Sequence, residues 1–183
     1  MLNLSAKALQ ELGDCLARVD LRDFEAATHE IAAAHRIALH GVGREGLQIK
    51  GFAMRLYHLG LRASVVGDMT TPPLAKGDLL IVSAGPGSFS TVSALMQVAR
   101  DAGARVLLVT ATPDGAAAGL ADVVLPVPAQ TMASDQGEAL SVLPMGSLYE
   151  GALYILFELI ILALRDTLGV APAVMRANHT NLE

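Results

Sequence analysis

The sequence predicts an α/β fold: a three-layer, flavodoxin-like, doubly wound sheet of five parallel strands with helices on both faces. Three observations support this prediction. Five short apolar runs are unbroken rather than alternating, as in parallel strands that are buried on both faces. Helical stretches separate these runs, which favours right-handed crossovers between parallel strands. Glycines stand where several of these helices are expected to end.

The predicted strands are short and rich in Val, Ile, Leu and Ala. They cover residues 37–39, 63–66, 79–82, 106–109 and 123–125. We expect the strand order 2-1-3-4-5. This order places the first and third strands side by side, at the point where the chain reverses direction across the sheet.

The predicted helices lie before, between and after the strands. Residues 1–35 form an N-terminal helical segment, with one amphipathic helix or a pair over residues 4–34, and residues 36–183 form the α/β core with the C-terminal helices. Further helices are predicted over residues 44–59, 90–102, 116–121 and 147–168, with a short final helix from Pro172. One long connection, residues 126–144, precedes the long C-terminal helix. We expect a single domain over residues 1–183.

Composition and charge exclude several classes of protein. Apolar residues make up 52% of the chain, which excludes disorder, and a net charge of -5 without a basic stripe disfavours nucleic acid as a partner. The most apolar stretch, residues 152–164, contains Glu158 and is shorter than the roughly 20 residues that a membrane span needs. We therefore expect a buried helix, a cytoplasmic protein without a secretion signal, and packing against other copies of the chain.

Two glycine-rich turns follow neighbouring predicted strands. Gly41-Val-Gly-Arg-Glu-Gly46 follows the first strand, and Ser83-Ala-Gly-Pro-Gly-Ser88 follows the third. Both turns are expected to open into one crevice at the carboxyl ends of the strands. The first turn matches a dinucleotide fingerprint, with Asp68 as an acidic residue about 20 positions further on, and this alternative stays open. A single fingerprint does not predict the second turn.

The helices that follow the two turns offer free backbone N–H groups and the positive end of a helix dipole, which suit an anionic ligand. Hydroxyls near the second turn either add donors for this ligand or cap the helix. The candidate binding residues are Gly41, Gly43, Arg44, Glu45, Gly85, Gly87, Ser88, Ser90 and Thr91. No metal site is expected, because Cys15 is the lone cysteine and no Cys/His cluster has zinc-site spacing.

Several segments resemble the 6-phospho-3-hexuloisomerases in order and spacing, from about Ile37 to the last residue. They are Gly41-Val-Gly-Arg44, Phe52-Ala-Met-Arg-Leu-Tyr-His-Leu-Gly60, Thr70-Thr-Pro72, Lys76-Gly-Asp-Leu-Leu80, Pro144-Met-Gly-Ser-Leu-Tyr-Glu150 and His179-Thr-Asn-Leu-Glu183. The Pro-x-Gly-x-x-Tyr-Glu segment and the His-x-Asn-Leu-Glu ending are the specific parts. The resemblance implies an SIS domain, a homotetramer, and the isomerisation of a 3-hexulose 6-phosphate to fructose 6-phosphate without cofactor or metal.

The resemblance also implies roles for individual residues. It implies that Glu150 is a carboxylate base and that His179 is a second catalytic residue, supplied by the same chain or by a neighbouring subunit. His58 is a further candidate for substrate binding, with packing or an interface as its alternative. Moving a carbonyl between C3 and C2 requires a proton to leave one carbon, through an enediol, and to return to the next. One carboxylate over one face of the enediol can make both transfers.

The chain departs from the family pattern at both glycine turns. Glu45 replaces the serine of Gly-x-Gly-Arg-Ser-Gly, and Ala84-Gly-Pro-Gly-Ser-Phe89 replaces a segment that resembles Ser-Gly-Ser-Gly-Glu-Thr. Hydroxyls that would bind a phosphate are therefore missing, and Pro86 has no N–H donor. Glu45 also places a negative charge near the position expected for a phosphate.

Three hypotheses follow from this pattern. The first is an isomerase that acts on a sugar phosphate. The second is an isomerase that acts on a sugar without phosphate, with Glu45 accepting hydrogen bonds from hydroxyls. The third is a sugar-binding SIS protein without catalytic activity, against which the retained Glu150 motif argues.

Overall fold

The computed structural model describes residues 1–136 and 141–182. Gly137, within the predicted connection 126–144, and Glu183, the last residue of the C-terminal motif, lie outside the described residues. The strands are β1 (Ile37–His40), β2 (Ala63–Val65), β3 (Leu79–Ser83), β4 (Arg105–Thr110) and β5 (Val123–Pro126). The helices are α1 (Leu2–Leu16), α2 (Leu21–Ala33), α3 (Gly43–His58), α4 (Ser90–Asp101), α5 (Ser147–Leu168) and α6 (Pro172–Ala177), with a 3₁₀ helix over Ala116–Leu120.

The five strands form one parallel sheet in the order β2-β1-β3-β4-β5. This confirms the predicted fold class and strand order. Leu39 pairs with Ile81, and His40 pairs with Val82, so β1 and β3 end side by side. The two glycine turns therefore leave the same edge of the sheet.

The sheet is covered on both faces because its strands are apolar on both faces. Successive residues of β1 illustrate the division: Leu39 belongs to the core that α1, α2, α3 and α5 cover, and Ala38 belongs to the core beneath α4 and the 3₁₀ helix. Both side chains are almost completely buried. Three layers result, as the unbroken apolar runs predict.

The N-terminal segment is a pair of helices rather than one. The chain leaves α1 at Ala17, and the carboxylate of Asp20 accepts a hydrogen bond of 2.8 Å from the backbone N–H of Arg22. Asp20 is thus the N-cap of α2, a position at which Asp is strongly preferred. The break lets α1 and α2 both pack against α5.

The long helix α5 is a core helix by its contacts. It packs against α1, α2 and α3, and the residues it buries include Leu153, Phe157 and Ile161. Its length and composition alone also fit a membrane span, but half of its most apolar 18-residue segment is buried inside the protein. The helix ends at Gly169, whose φ of 65° is the left-handed conformation usual for a glycine that closes a helix.

Candidate active site

A cleft of about 430 Å³ lies at the carboxyl edge of the sheet, where β1 and β3 end. Four segments line it: the start of α3, the second glycine turn, a stretch of the connection after β5, and the start of α5. The lining residues are Val42, Gly43, Arg44, Glu45, Pro86, Phe89, Thr131, Met132, Ala133, Gly146, Tyr149 and Glu150. The cleft thus brings three predicted binding residues, Gly43, Arg44 and Glu45, together with the predicted base Glu150.

Glu150 lies in the first turn of α5, and its side chain is 15% exposed. Arg44 Nη1 lies 3.2 Å from Glu150 Oε2. The same guanidinium donates to Ser147 Oγ at 2.9 Å and to the backbone carbonyl of Met145. Burial raises the pKa of the Glu150 carboxyl, the positive charge of Arg44 opposes this rise, and the nearby Glu45 adds to it. A partly desolvated carboxylate with a fixed orientation is suited to accept a proton from a ligand.

Gly146 sets the position at which α5 begins. Its φ is 82°, a left-handed conformation that glycine adopts without steric cost. A Cβ atom at this position would lie 2.6 Å from the backbone nitrogen of Met132. Both the backbone conformation and this close approach require glycine. The Pro-x-Gly part of the motif therefore positions Glu150 four residues later.

The carboxylate of Glu45 turns towards the second glycine turn. Its Oε2 accepts hydrogen bonds from the hydroxyl of Ser83 at 2.6 Å and from the backbone N–H of Gly85 at 3.0 Å. Only 7% of Glu45 is exposed. Burial raises the pKa of Glu45, and the two hydrogen bonds lower it in part. The backbone N–H of Gly85, which an anionic ligand at this turn would need, therefore donates to an acidic side chain instead.

Tyr149 extends this hydrogen-bonded group into the core. Its hydroxyl donates to the carbonyl of Val109 at 3.1 Å and lies 3.2 Å from Ser83 Oγ. The side chain is 1% exposed, and burial raises its pKa well above the ordinary value. No individual role is predicted for Tyr149 or Ser83 from the sequence. The signal for Tyr149 was its place beside Glu150 in the family motif.

Several predicted binding residues do not line the cleft. Gly41 packs against Gly46, where an added Cβ would lie 3.1 Å away, and Gly87 has a φ of 92° in a turn beside Gly115. Gly85 supplies its N–H to Glu45 rather than to the cleft. These glycines therefore shape the turns.

The hydroxyl residues near α4 neither line the cleft nor cap the helix. Ser88 Oγ lies 3.2 Å from Ser93 Oγ, and Ser90 and Thr91 are the first two residues of α4. The N-cap residue is Phe89, and no side chain among residues 1–136 and 141–182 caps the helix. The alternative interpretation, in which these three hydroxyls cap α4, is therefore wrong.

The two predicted histidines lie together in a different cleft. The imidazole rings of His58 and His179 stack with centroids 5.2 Å apart and an angle of 28° between their planes. Met54, Arg55, Met175 and Arg176 complete the lining of this second cleft. Within one chain, the cleft lined by Glu150 does not include His179. Among the described residues, no three His, Cys, Asp or Glu side chains come together as a metal site would require.

Known proteins with similar sequences settle the family. No protein-family model matches the chain. The chain is 38% identical to the 3-hexulose-6-phosphate isomerase of Mycobacterium gastri over 173 residues, and these residues cover 94% of this chain and 86% of that protein. It is 33% identical over 178 residues to the 3-hexulose-6-phosphate isomerase of Bacillus subtilis, which covers 97% of this chain and 96% of that protein. The chain belongs to the 3-hexulose-6-phosphate isomerase family.

A solved structure agrees with this assignment. A Methanococcus jannaschii protein, whose structure infers a molecular function of 3-hexulose-6-phosphate isomerase, has a TM-score of 0.82 and 27% identity, covering 100% of this chain and 98% of that one. The family expected from the motifs is thus confirmed, the fold is that of an SIS domain, and the chain is an isomerase. Membership of the 3-hexulose-6-phosphate isomerase family also favours the isomerase interpretation over the dinucleotide one. Asp68, on which that alternative depended, is exposed in the connection between β2 and β3.

Proposed function

We propose that this protein interconverts two carbonyl isomers of a sugar phosphate of the 3-hexulose 6-phosphate type, with Glu150 as the base. One observation carries the proposal: the Glu150 carboxylate borders the cleft between the two glycine turns, where Arg44 holds it. The enzymes of Mycobacterium gastri and Bacillus subtilis are named for that substrate. The cleft volume of about 430 Å³ is in the range usual for small-molecule sites.

The proposed reaction needs one proton acceptor over one face of the sugar. The Glu150 carboxylate removes the proton from C2 of the 3-ketose, and the electrons of that C–H bond form the double bond of a 2,3-enediol as the C3 oxygen gains a proton. Glu150 then returns its proton to C3, the C2 hydroxyl loses its proton, and the carbonyl stands at C2. Arg44 favours the ionised form of Glu150 before the first transfer.

The proposal assigns His179 to the site of a neighbouring subunit in a homo-oligomer, expected to be a tetramer. Two features of the chain support an assembly: His179 lies in a cleft without Glu150, and α3 and α5 expose large apolar side chains. The exposed apolar residues of these two helices include Leu47, Met54, Tyr57, Tyr154, Leu159 and Leu162. We further propose that the enzyme is soluble and cytoplasmic and acts without a cofactor or nucleic acid partner.

Proton exchange tests the catalytic assignment directly. The full-length protein is incubated with fructose 6-phosphate in D₂O. Loss of the C3 proton, which the 2,3-enediol reaction exchanges with solvent, is followed by NMR. We expect Glu150→Gln to slow this exchange by roughly 10²- to 10⁴-fold, the usual contribution of a general base. Glu25→Gln, on the exposed face of α2, is the matched control and should exchange at the unaltered rate. Full exchange in Glu150→Gln would remove the assignment.

Mixed oligomers test the role of His179. Chains carrying Glu150→Gln are unfolded and refolded together with chains carrying His179→Ala. If the two residues act across a subunit boundary, some mixed sites contain both native residues, and activity returns above that of either variant. Light scattering after size exclusion measures the number of subunits. Absence of recovery in an assembled mixture contradicts the proposed sharing of the site.

A sugar without phosphate is a second candidate substrate, because the Glu45 carboxylate occupies the N–H of Gly85 in the turn where a phosphate would be expected. The same exchange assay with free fructose separates the two candidates. Exchange with neither sugar would favour a binding protein without activity.

A further inference from the structure

The second glycine turn has no backbone donor left for a ligand over Ala84–Gly87. Ala84 N–H donates to the carbonyl of Val109 at 3.0 Å, and Gly87 N–H donates to the carbonyl of Ala84 at 2.9 Å. Gly85 N–H donates to Glu45 Oε2 at 3.0 Å, and Pro86 has no N–H. A phosphoryl group needs several such donors. The backbone of Ala84–Gly87, the glycine-rich part of this turn, therefore offers no free N–H to an anionic ligand.

The side chains on this wall of the cleft are equally unsuited to a phosphoryl group. Pro86 and Phe89 line it with apolar surface, and Glu45 contributes a carboxylate. The nearby cation, Arg44, already contacts Glu150, Ser147 and the carbonyl of Met145. A phosphate monoester, carrying about two negative charges at neutral pH, would meet repulsion from Glu45 without a free opposing charge in this wall.

The same wall suits a hydroxyl donor. Glu45 Oε2 accepts both protein hydrogen bonds, whereas Oε1 accepts none from the described residues, and Glu45 borders the cleft. A sugar hydroxyl can donate to a carboxylate oxygen, and the C–H face of a sugar can pack on Phe89 and Pro86. We propose that Glu45 determines specificity at this turn: it excludes a phosphoryl group there and holds an uncharged, hydroxyl-bearing end of the substrate.

This inference rests on the proposed function because it concerns the same cleft. If the substrate is a sugar phosphate, its phosphoryl group lies away from this turn. If it is a free sugar, the turn binds a hydroxyl that a phosphorylated sugar would lack. Both cases require that the charge of Glu45 keeps a phosphate away from the second glycine turn.

Titration calorimetry with inorganic phosphate at neutral pH tests the requirement on the full-length protein. Glu45→Ser frees the N–H of Gly85 and removes the negative charge. We therefore expect this variant to bind phosphate at least tenfold more tightly than the native chain does. Glu45→Gln should give a smaller gain, because its amide oxygen still accepts from Gly85. Glu25→Ser removes the same charge from exposed α2 and should bind phosphate as the native chain does.

Circular dichroism first establishes which variants are folded. The binding isotherms of those variants are then compared with that of the native chain. A new event in Glu45→Ser, absent from the native chain and from Glu25→Ser, supports the specificity role. Identical isotherms for the native chain, Glu45→Ser and Glu45→Gln overturn it. The exchange assay on Glu150→Gln is independent of this measurement, so failure of the isomerase proposal and failure of the Glu45 proposal give different results.

Discussion

Replacing Arg44 with methionine should make the proposed base harder to ionise. Arg44 Nη1 lies 3.2 Å from Glu150 Oε2. At this separation two unit charges attract by about 5 kcal/mol at an effective dielectric of about 20, and by about 1.3 kcal/mol in bulk water. The Arg44 side chain is 46% exposed, so solvent screens much of the attraction. We therefore take about 1–2 kcal/mol as the contribution of the pair.

This free energy acts on the protonation equilibrium of Glu150. A loss of about 1–2 kcal/mol shifts the ratio of carboxylate to carboxylic acid by roughly five- to thirtyfold towards the acid. Burial already raises the pKa of Glu150, and Arg44 opposes that rise. Without Arg44 the pKa rises further, so the acidic limb of the rate–pH profile should move towards neutral pH. The rate loss should be largest on the acidic side and smallest at alkaline pH.

The assay is proton exchange of fructose 6-phosphate in D₂O, followed by NMR across the acidic and neutral range. Arg105→Met is the matched control, because it removes the Arg105–Glu30 ion pair of 2.6 Å at the start of β4, away from the cleft. An acidic limb in Arg44→Met that coincides with that of the native chain, or that moves to lower pH, would refute the electrostatic reasoning. A uniform rate loss at every pH would mean that Arg44 acts only by orienting the carboxylate.

Three stability predictions follow from contacts beside the cleft. Tyr149→Phe removes the hydroxyl that bonds to Ser83 and to a carbonyl of β4, and it should lower the free energy of unfolding in urea by about 1–3 kcal/mol. Gly146→Ala should lower the melting temperature, because its φ is 82° and the new Cβ would lie 2.6 Å from a backbone nitrogen, whereas Gly13→Ala in α1 meets nothing within 4 Å and should not. Burial raises the pKa of Glu45, so its stabilising contribution is present at acidic pH and is lost as the pH rises through that raised value. Glu45→Gln should therefore gain melting temperature relative to the native chain as the pH rises above the ordinary pKa of a glutamate, and a pH-independent difference would contradict this.

Most of the fold follows from local patterns in the sequence. Each predicted strand agrees with the structure to within about one residue at either end, because an unbroken apolar run between polar turns leaves little choice of bounds. The strand order also follows, since two glycine turns at neighbouring strand ends fit the 2-1-3-4-5 arrangement. The break between α1 and α2 has a local signal as well, the capping residue Asp20.

The direction of the Glu45 side chain does not follow from the sequence. It depends on Ser83 and Gly85, which lie 38 and 40 residues further along the chain and reach Glu45 only because β1 and β3 are neighbours. The placement of His179 against His58 depends likewise on how α6 packs on α3. Short-range patterns identify which residues surround the carboxyl edge of the sheet, whereas the partner of each side chain is set by packing over long sequence separations.

The two carboxyl groups of the cleft illustrate how the environment assigns different roles to the same chemical group. Glu45 receives two hydrogen bonds from uncharged donors and is nearly buried, whereas Glu150 faces a partly exposed arginine. Burial is the largest cause of the raised pKa of Glu150, and repulsion from Glu45 adds to it, so the charge on Glu45 makes Glu150 a somewhat stronger base than burial and Arg44 alone would. A serine in place of Glu45 would therefore change more than the group bound at the second turn. It would also lower the pKa of Glu150, which gives the glutamate at the first turn an influence on the proton transfer as well as on the ligand.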